Sequence, residues 1–380
     1  MTATTRSGTG RPRTALALTA LFFGTFVMGS AELIVVGILD LVAADLGVPI
    51  GTAGSLVTGY ALGISVGGPV LTALTIRFAR RPLLQLSLAA YVLVNGLAVA
   101  AASFGLLLVA RVLTGALHGL FIGVAFAVGA SVMPPEKRGK AISFVFGGTA
   151  VATALGVPVD TLIGQGLGWE ASFAAIVAAG VLALAPALVA VPPVPDSGIG
   201  GFGAQAGHAF APKVLALLGL AFLVMGGQFA GLTYLQPFLA DVTGVSGGTF
   251  AGGAAADRDA SATIVFGGIA LVLALAALTF LGSNPVVAAI ALFVWGIVGF
   301  GVVPSIQHRV VSLAGPGRDL AATLPASAVT LGIAIGALVG GSVVGGDSSG
   351  PMLVSLVVCA AGAVAAWATS FLEPDPEAAR

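Results

Sequence analysis

Charge is what this sequence has least of. Of 380 residues, 15 are Lys or Arg and 15 are Asp or Glu, so charged side chains make up 8% of the chain. A soluble domain, whose surface water must solvate, carries about 25%. Most of this surface must therefore face a medium that does not reward charge, and lipid is such a medium. The even balance of signs argues against nucleic acid and against an acidic partner. Cysteine is nearly absent: Cys359 stands alone inside an apolar run, which excludes a disulfide framework or a cysteine metal site within the chain. The three histidines are far apart in sequence, and no HExxH or GK[ST] string occurs. Metalloenzyme and nucleotide-binding readings lose their support. The pattern calls for no metal and no cofactor, and the chain is not read as an enzyme.

What is present is apolar length. Hydrophobic residues make up 58% of the chain, and a spanning helix needs about 20 of them in near succession. Eleven stretches qualify, roughly 14–39, 52–74, 82–102, 105–130, 139–164, 170–191, 213–240, 262–281, 285–306, 320–345 and 351–372. The expected fold class is an all-α integral membrane bundle. Arg6, Arg11 and Arg13 precede the first stretch, which exceeds the apolar core of about 7–15 residues in a signal peptide. It is read as a retained span with the N-terminus in the cytoplasm. Many spans are rich in Gly and Ala, and spacings such as Gly115–Gly119 and Gly119–Gly123 suit close helix packing.

Loop charge tests the map, because Lys and Arg favour the cytoplasmic side. Arg77, Arg80 and Arg81 follow the second span, and Lys137, Arg138 and Lys140 follow the fourth. A linker at 192–212, rich in Pro, Gly and Ser, leads to Lys213, whereas the loops after spans one, three and five carry no Lys or Arg. Residues 1–191 thus read as a six-helix bundle with both ends inside, 192–212 as a cytoplasmic linker, and 213–380 as a second bundle. There Asp241 belongs outside, and Arg258, Arg309, Arg318 and the tail inside. That polarity demands a crossing between Asp241 and Asp257, where only the 15 residues VTGVSGGTFAGGAAA are available.

An internal repeat accounts for the shortfall. Met28-Gly29 and Gly47-Val48 match Met225-Gly226 and Gly244-Val245 at an offset of 197. Arg138, Ala141 and Gly156 match Arg318, Ala321 and Gly336 at an offset of 180. Between these blocks Arg77 best matches Arg258 at an offset of 181, so the second half lacks 16 residues ahead of that arginine, about 24 Å of helix, and its second span, at about 242–256, is read as truncated.

Ionisable groups inside a span are costly and are functional candidates by default. Glu32, in GSAELIVVG, is a candidate for proton coupling or substrate contact, with a structural or vestibule acid as the alternative. Arg111 opens the fourth span and is read either as a partner for a carboxylate or as an interfacial anchor. His118 lies two turns further on, titrating or packed. Asp160 faces a cavity or, by slight preference, the outer interface. Gln228, Tyr234 and Gln236 are cavity-lining candidates, with Tyr234 alternatively an interfacial anchor. Arg77, Arg80, Arg81, Asp257 and Arg258 are the charges of two cytoplasmic gating loops. Glu170 reads as an external loop charge, and Gln307, His308 and Arg309 as meeting headgroups.

These stretches also carry a resemblance. GSAELIVVGILDLVAADLGV, AGSLVTGYALGISVGGPVL, RFARRPLL, ARVLTGALHGLFIGVA, PPEKRGKAISFVFGGTAVATALGVP and TYLQPFLADVTGVS occur in that order. In this the chain resembles the major facilitator superfamily, in particular the twelve-span drug and sugar efflux permeases of the arabinose-efflux-like and chloramphenicol-resistance-like kind. The resemblance implies two six-helix bundles rocking about a central site in proton-driven export. It places Glu32 at an acidic position of helix one used for cation recognition or coupling. It places Arg111 at the arginine of a helix-four motif linked to proton transfer, and LGVP within the antiporter motif of helix five. Departures are Ile76 for a frequent Asp, Asp160 for a usual glycine, Glu170 for a usual arginine, Thr330 for a common asparagine, and the near loss of helix eight.

The reading that follows is a proton-coupled exporter of small organic molecules, drug-like or sugar-like. It is a multi-pass monomer of the plasma membrane, with lipid, protons and its substrate as partners and no nucleic acid. The alternative is a non-transporting remnant that keeps the fold as a membrane interaction protein.

Overall fold

The computed structural model describes residues 11–75, 77–134, 137–193, 210–243, 260–314, 321, 324–344 and 349–372. Among them there is no strand. In chain order the helices are α1 (Arg11–Asp45), α2 (Ile50–Thr75), α3 (Arg80–Val99), α4 (Phe104–Ser131), α5 (Arg138–Leu167) and α6 (Trp169–Ala190). They continue as α7 (Pro212–Leu232), its short continuation α8 (Leu235–Thr243), α9 (Ala260–Leu281), α10 (Pro285–Leu313), α11 (Leu324–Ser342) and α12 (Ser349–Ser370). Among the described residues eleven helices are long and apolar enough to cross a membrane; α8 is not one of them. Leu93, Leu182 and Leu273 are more than half exposed in mid-helix, as lipid-facing positions are and the core of a soluble bundle is not.

Local chemistry sets the helix ends. Ser103 caps α4, its hydroxyl accepting from Leu106 N at 3.4 Å. Asn284 caps α10, accepting from Val286 N at 3.0 Å, with Pro285 in the first turn where its missing N–H costs nothing. Gly168 opens α6 at φ +97°, a conformation other residues resist. At the opposite end of α6, Arg81 Nη2 and Gln85 Nε2 donate to Leu188 O at 3.1 and 3.2 Å. Arg309 does the same for α12, donating to Thr369 O and Leu372 O at 2.9 and 3.0 Å. The expectation that Arg309 meets headgroups is replaced by this cap; Gln307 and His308 are exposed.

Two spans share one irregularity. In α2, Gly63–Gly67 form a π-helical turn two residues ahead of Pro69; in α5, Ala152–Gly156 form another two residues ahead of Pro158. A proline lacks the N–H that would bond the carbonyl four residues back, and its ring pushes that carbonyl aside. The widened turn absorbs both effects and lets the span continue. The string Gly63-Ile64-Ser65-Val66-Gly67 has the GxSxG spacing of a nucleophile elbow, but here it is a π turn within a span, and Ser65 Oγ donates to Leu62 O at 3.4 Å.

Glycine governs the closest packing. A Cβ on Gly115 would strike the Tyr60 carbonyl, and one on Gly119 would meet Gly68, so this pair seats α4 on α2; Gly123 has nothing within 4 Å. The repeat reappears as geometry. Gly29 of α1 packs on Ala152 of α5, and its counterpart Gly226 of α7 packs on Gly332 of α11, each shifted by the offsets read in sequence.

The face where α1 begins is here the near face, and the one where it ends is the far face. The helices up to 193 and those after 210 meet at far-face ends. Thr58 Oγ1 of α2 donates to Ala334 O of α11 at 3.1 Å, and Gln236 Nε2 of α8 donates to Asp40 Oδ2 of α1 at 3.0 Å. Phe238 of α8 lies beside Gly282, in the turn between α9 and α10. The end of α8 is therefore at the far face. Because α9 climbs from Ala260 to that same turn, Ala260 lies at the near face. So does the end of α12, whose carbonyls Arg309 holds. The stretch read as a truncated span, 242–256, lies outside the described residues except for Val242 and Thr243, and so do Asp257, Arg258 and Arg318.

Candidate functional site

A cluster of buried polar groups from α1–α4 gathers around Arg111. Helix α4 begins at Phe104, so Arg111 stands two turns inside it and is 1% exposed; the interfacial-anchor alternative is overturned. Its Nη1 donates to Ala31 O at 2.7 Å, Nη2 to Glu32 O at 3.1 Å and Nε to Leu56 O at 3.4 Å. Its Cζ lies 4.0 Å from the centroid of the Tyr60 ring. One guanidinium thus ties α4 to the backbones of α1 and α2, with an aromatic face in place of a carboxylate. The α1 carbonyls it takes lie one to two turns before a bend at Ile38, where φ is −129°. Gln165 Nε2 of α5 takes the Gly37 carbonyl at that bend, at 3.0 Å, a side-chain insertion that accounts for it.

Tyr60 is the hub of the remainder. Its hydroxyl lies 3.2 Å from Met28 O, 3.2 Å from the Tyr91 hydroxyl of α3 and 3.0 Å from His118 Nδ1. A carbonyl can only accept. If Tyr60 gives its proton to Met28 O, then Nδ1 of His118 must carry a proton and donate to Tyr60; if Tyr60 donates to Nδ1, His118 is the other tautomer. In both cases His118 is buried and hydrogen-bonded, while its Nε2 is buried without a partner. Glu32 is partly exposed, and its carboxyl lies within the field of Arg111. Sequence reasoning named Glu32, Arg111 and His118 and missed Tyr60 and Tyr91. The available signal was scarcity: the chain has three tyrosines, and all three fall within or beside apolar stretches.

The other candidates lie elsewhere. Asp160 is 6% exposed in α5, and the Ser172 hydroxyl donates to its carbonyl at 2.7 Å; the preferred outer-interface placement gives way to a buried one. Gln228 is buried between α7 and α10, donating to Gly299 O at 3.2 Å and accepting from Trp295 Nε1 at 3.1 Å. These contacts tie its amide to protein rather than to open cavity. Tyr234 is buried too, its hydroxyl donating to Ala337 O at 2.9 Å, and it is not an interfacial anchor. Gln236 joins Asp40 across the far-face seam, and its Oε1 is buried without a partner. Arg77 is exposed, and Arg80 and Arg81 are half-buried at the near face. An apolar pocket between α7, α10 and α11 is lined by Val224, Met225, Val303, Ile306, Pro325 and Val329.

A family model described as the Major Facilitator Superfamily matches residues 21–323. The chain belongs to that superfamily. This facilitator is 35% identical to the uncharacterized MFS-type transporter YtbD of Bacillus subtilis over 86% of its length and 87% of the relative's. It is 29% identical to the chloramphenicol resistance protein of Streptomyces lividans over 93% and 95% of the two lengths. Its fold matches a bacterial homolog of the human lysosomal transporter Spinster with a TM-score of 0.76, at 16% identity, covering 95% of this chain and 98% of that one. It is thus a multi-pass membrane transporter of small molecules and not an enzyme. In this facilitator the polar cluster belongs to α1–α4 and the apolar pocket to α7, α10 and α11.

Proposed function

We propose that this facilitator exports small organic molecules across the plasma membrane in exchange for protons, working as a monomer with its near face in the cytoplasm. The observation that carries the reading is Glu32, a partly exposed acidic residue inside a span, beside an arginine that α4 fixes to the backbones of α1 and α2. Such an acid can take a proton from one side and release it to the other as the helices around it rearrange. The basic loops at Arg77–Arg81 and Lys137–Lys140 support a cytoplasmic near face. The chloramphenicol resistance protein among its relatives makes chloramphenicol the first compound to try.

The test is a panel of drugs and sugars, chloramphenicol included, in a host stripped of its own efflux pumps. Protection that collapses with an uncoupler and is absent in Glu32→Gln is the expected result. Verified insertion with no protection across the panel would favour the remnant reading. Protection that persists in Glu32→Gln would remove that residue from coupling.

A further inference from the structure

The geometry points to Tyr60 as the positioning residue for Arg111, its ring standing where a counter-carboxylate would otherwise stand, so that Glu32 remains free to exchange a proton. The inference rests on the reading of Glu32 as the coupling acid.

A buried guanidinium needs partners for its donors and something to balance its charge. Three backbone carbonyls meet the first need. Carbonyls are dipoles, however, and a buried cation usually recruits a carboxylate. Glu32 is near, and Arg111 holds that residue's backbone oxygen at 3.1 Å. The ring of Tyr60, 4.0 Å below Cζ, supplies the negative face of an aromatic quadrupole. That interaction carries no formal charge, so it steadies the cation without committing the acid.

Tyr60 is itself engaged at its hydroxyl and at its backbone. Its hydroxyl is engaged by Met28 of α1, Tyr91 of α3 and His118 of α4, and its backbone packs against Gly115, where a Cβ would collide with the Tyr60 carbonyl. Packed there, the ring fills the place beside the guanidinium that the carboxylate would need. The groups facing Glu32 are Arg111 of α4, Tyr60 of α2 and Tyr91 of α3. Among the other helices packed on α1, α5 carries Asp160 with Arg138 and Lys140 at its near end, α6 carries Glu170, and α8 carries Asp241. Asp40 and Asp45 lie further along α1 itself.

The test reads the far-face seam and needs no transported compound. Spin labels at Ala102 and Val343, in a Cys359→Ser background reconstituted in nanodiscs, report the open fraction as pH is varied. Wild type is expected to switch with pH, and Glu32→Gln to lose the switch. Tyr60→Leu, which frees the guanidinium to pair with Glu32, should move the midpoint toward acid by about one pH unit or more. Tyr60→Phe, which keeps the ring, should leave the midpoint in place. A wild-type midpoint in Tyr60→Leu, or an equal shift in Tyr60→Phe, overturns the inference. If the leucine variant does not fold, Tyr60→Phe and Tyr60→Trp decide: both unshifted supports it, either shifted overturns it. Retention of the switch in Glu32→Gln overturns the underlying reading instead, and is seen without any change at Tyr60.

Discussion

Gly51 of α2 and Gly341 of α11 meet backbone to backbone: a Cβ on Gly51 would lie 2.5 Å from the Gly341 carbonyl oxygen, and one on Gly341 would lie 2.9 Å from that of Gly51. The Tyr234 hydroxyl completes the junction, 3.5 Å from Gly51 O. The helices before and after the linker close on each other here with no room for a side chain.

Gly341→Val should therefore wedge this seam apart. Overpacking costs about 1–3 kcal/mol, which shifts the closed-to-open ratio by about tenfold. A cysteine placed at Thr58, in a Cys359→Ser background, should react about tenfold faster with a membrane-impermeant maleimide. An unchanged rate would mean that this contact does not hold the seam.

Asp40 and Gln236 make the neighbouring link across the seam, at 3.0 Å. Gln236→Leu should loosen it by about 1 kcal/mol, the net worth of one such hydrogen bond at a partly exposed site. Asp40→Leu should do the same, and the double variant should add nothing to either. Additive effects in the maleimide assay would show that the two side chains act separately.

Arg111→Lys tests the fork. An ammonium is a point donor and cannot reach Ala31, Glu32 and Leu56 carbonyls together. Each buried carbonyl left bare costs about 1–3 kcal/mol. The variant should insert, melt earlier in detergent and lose the proposed proton-driven export by about tenfold or more. Wild-type melting and export would contradict the backbone clamp.

The matched contacts Gly29–Ala152 and Gly226–Gly332 predict matched sensitivity. Gly29→Leu and Gly226→Leu should both cut the yield of monodisperse protein, while Gly123→Leu, with open space around it, should leave it intact. Size-exclusion profiles of tagged variants make the comparison. Loss in one of the first pair alone would argue that the two interfaces are not equivalent.

The spans were legible because apolar length is a one-dimensional signal: the stretches read at 82–102 and 285–306 correspond to Arg80–Val99 and Pro285–Leu313. Glu32, Arg111 and His118 stood out because a polar group in an apolar run is conspicuous. Tyr60 and Tyr91 did not, since their role depends on which helices lie side by side. The seam was hidden for a related reason. Gly51 and Gly341 are 290 residues apart in the chain and are two among 56 glycines. Asp160 was drawn outward by its place near a span end, whereas the packing of α5 on α1 and α6 encloses it.

The arginine's clamp on α1 and α2 has a consequence for descent. Backbone carbonyls are anonymous: every amino acid at positions 31, 32 and 56 presents the same oxygen. Drift at those positions cannot erase the acceptors, provided the helices keep their path, and covariation between them and position 111 has nothing to track. A search for paired substitutions would pass over the shortest of the arginine's hydrogen bonds, and the ring beneath it would be a partner whose identity the lineage could record.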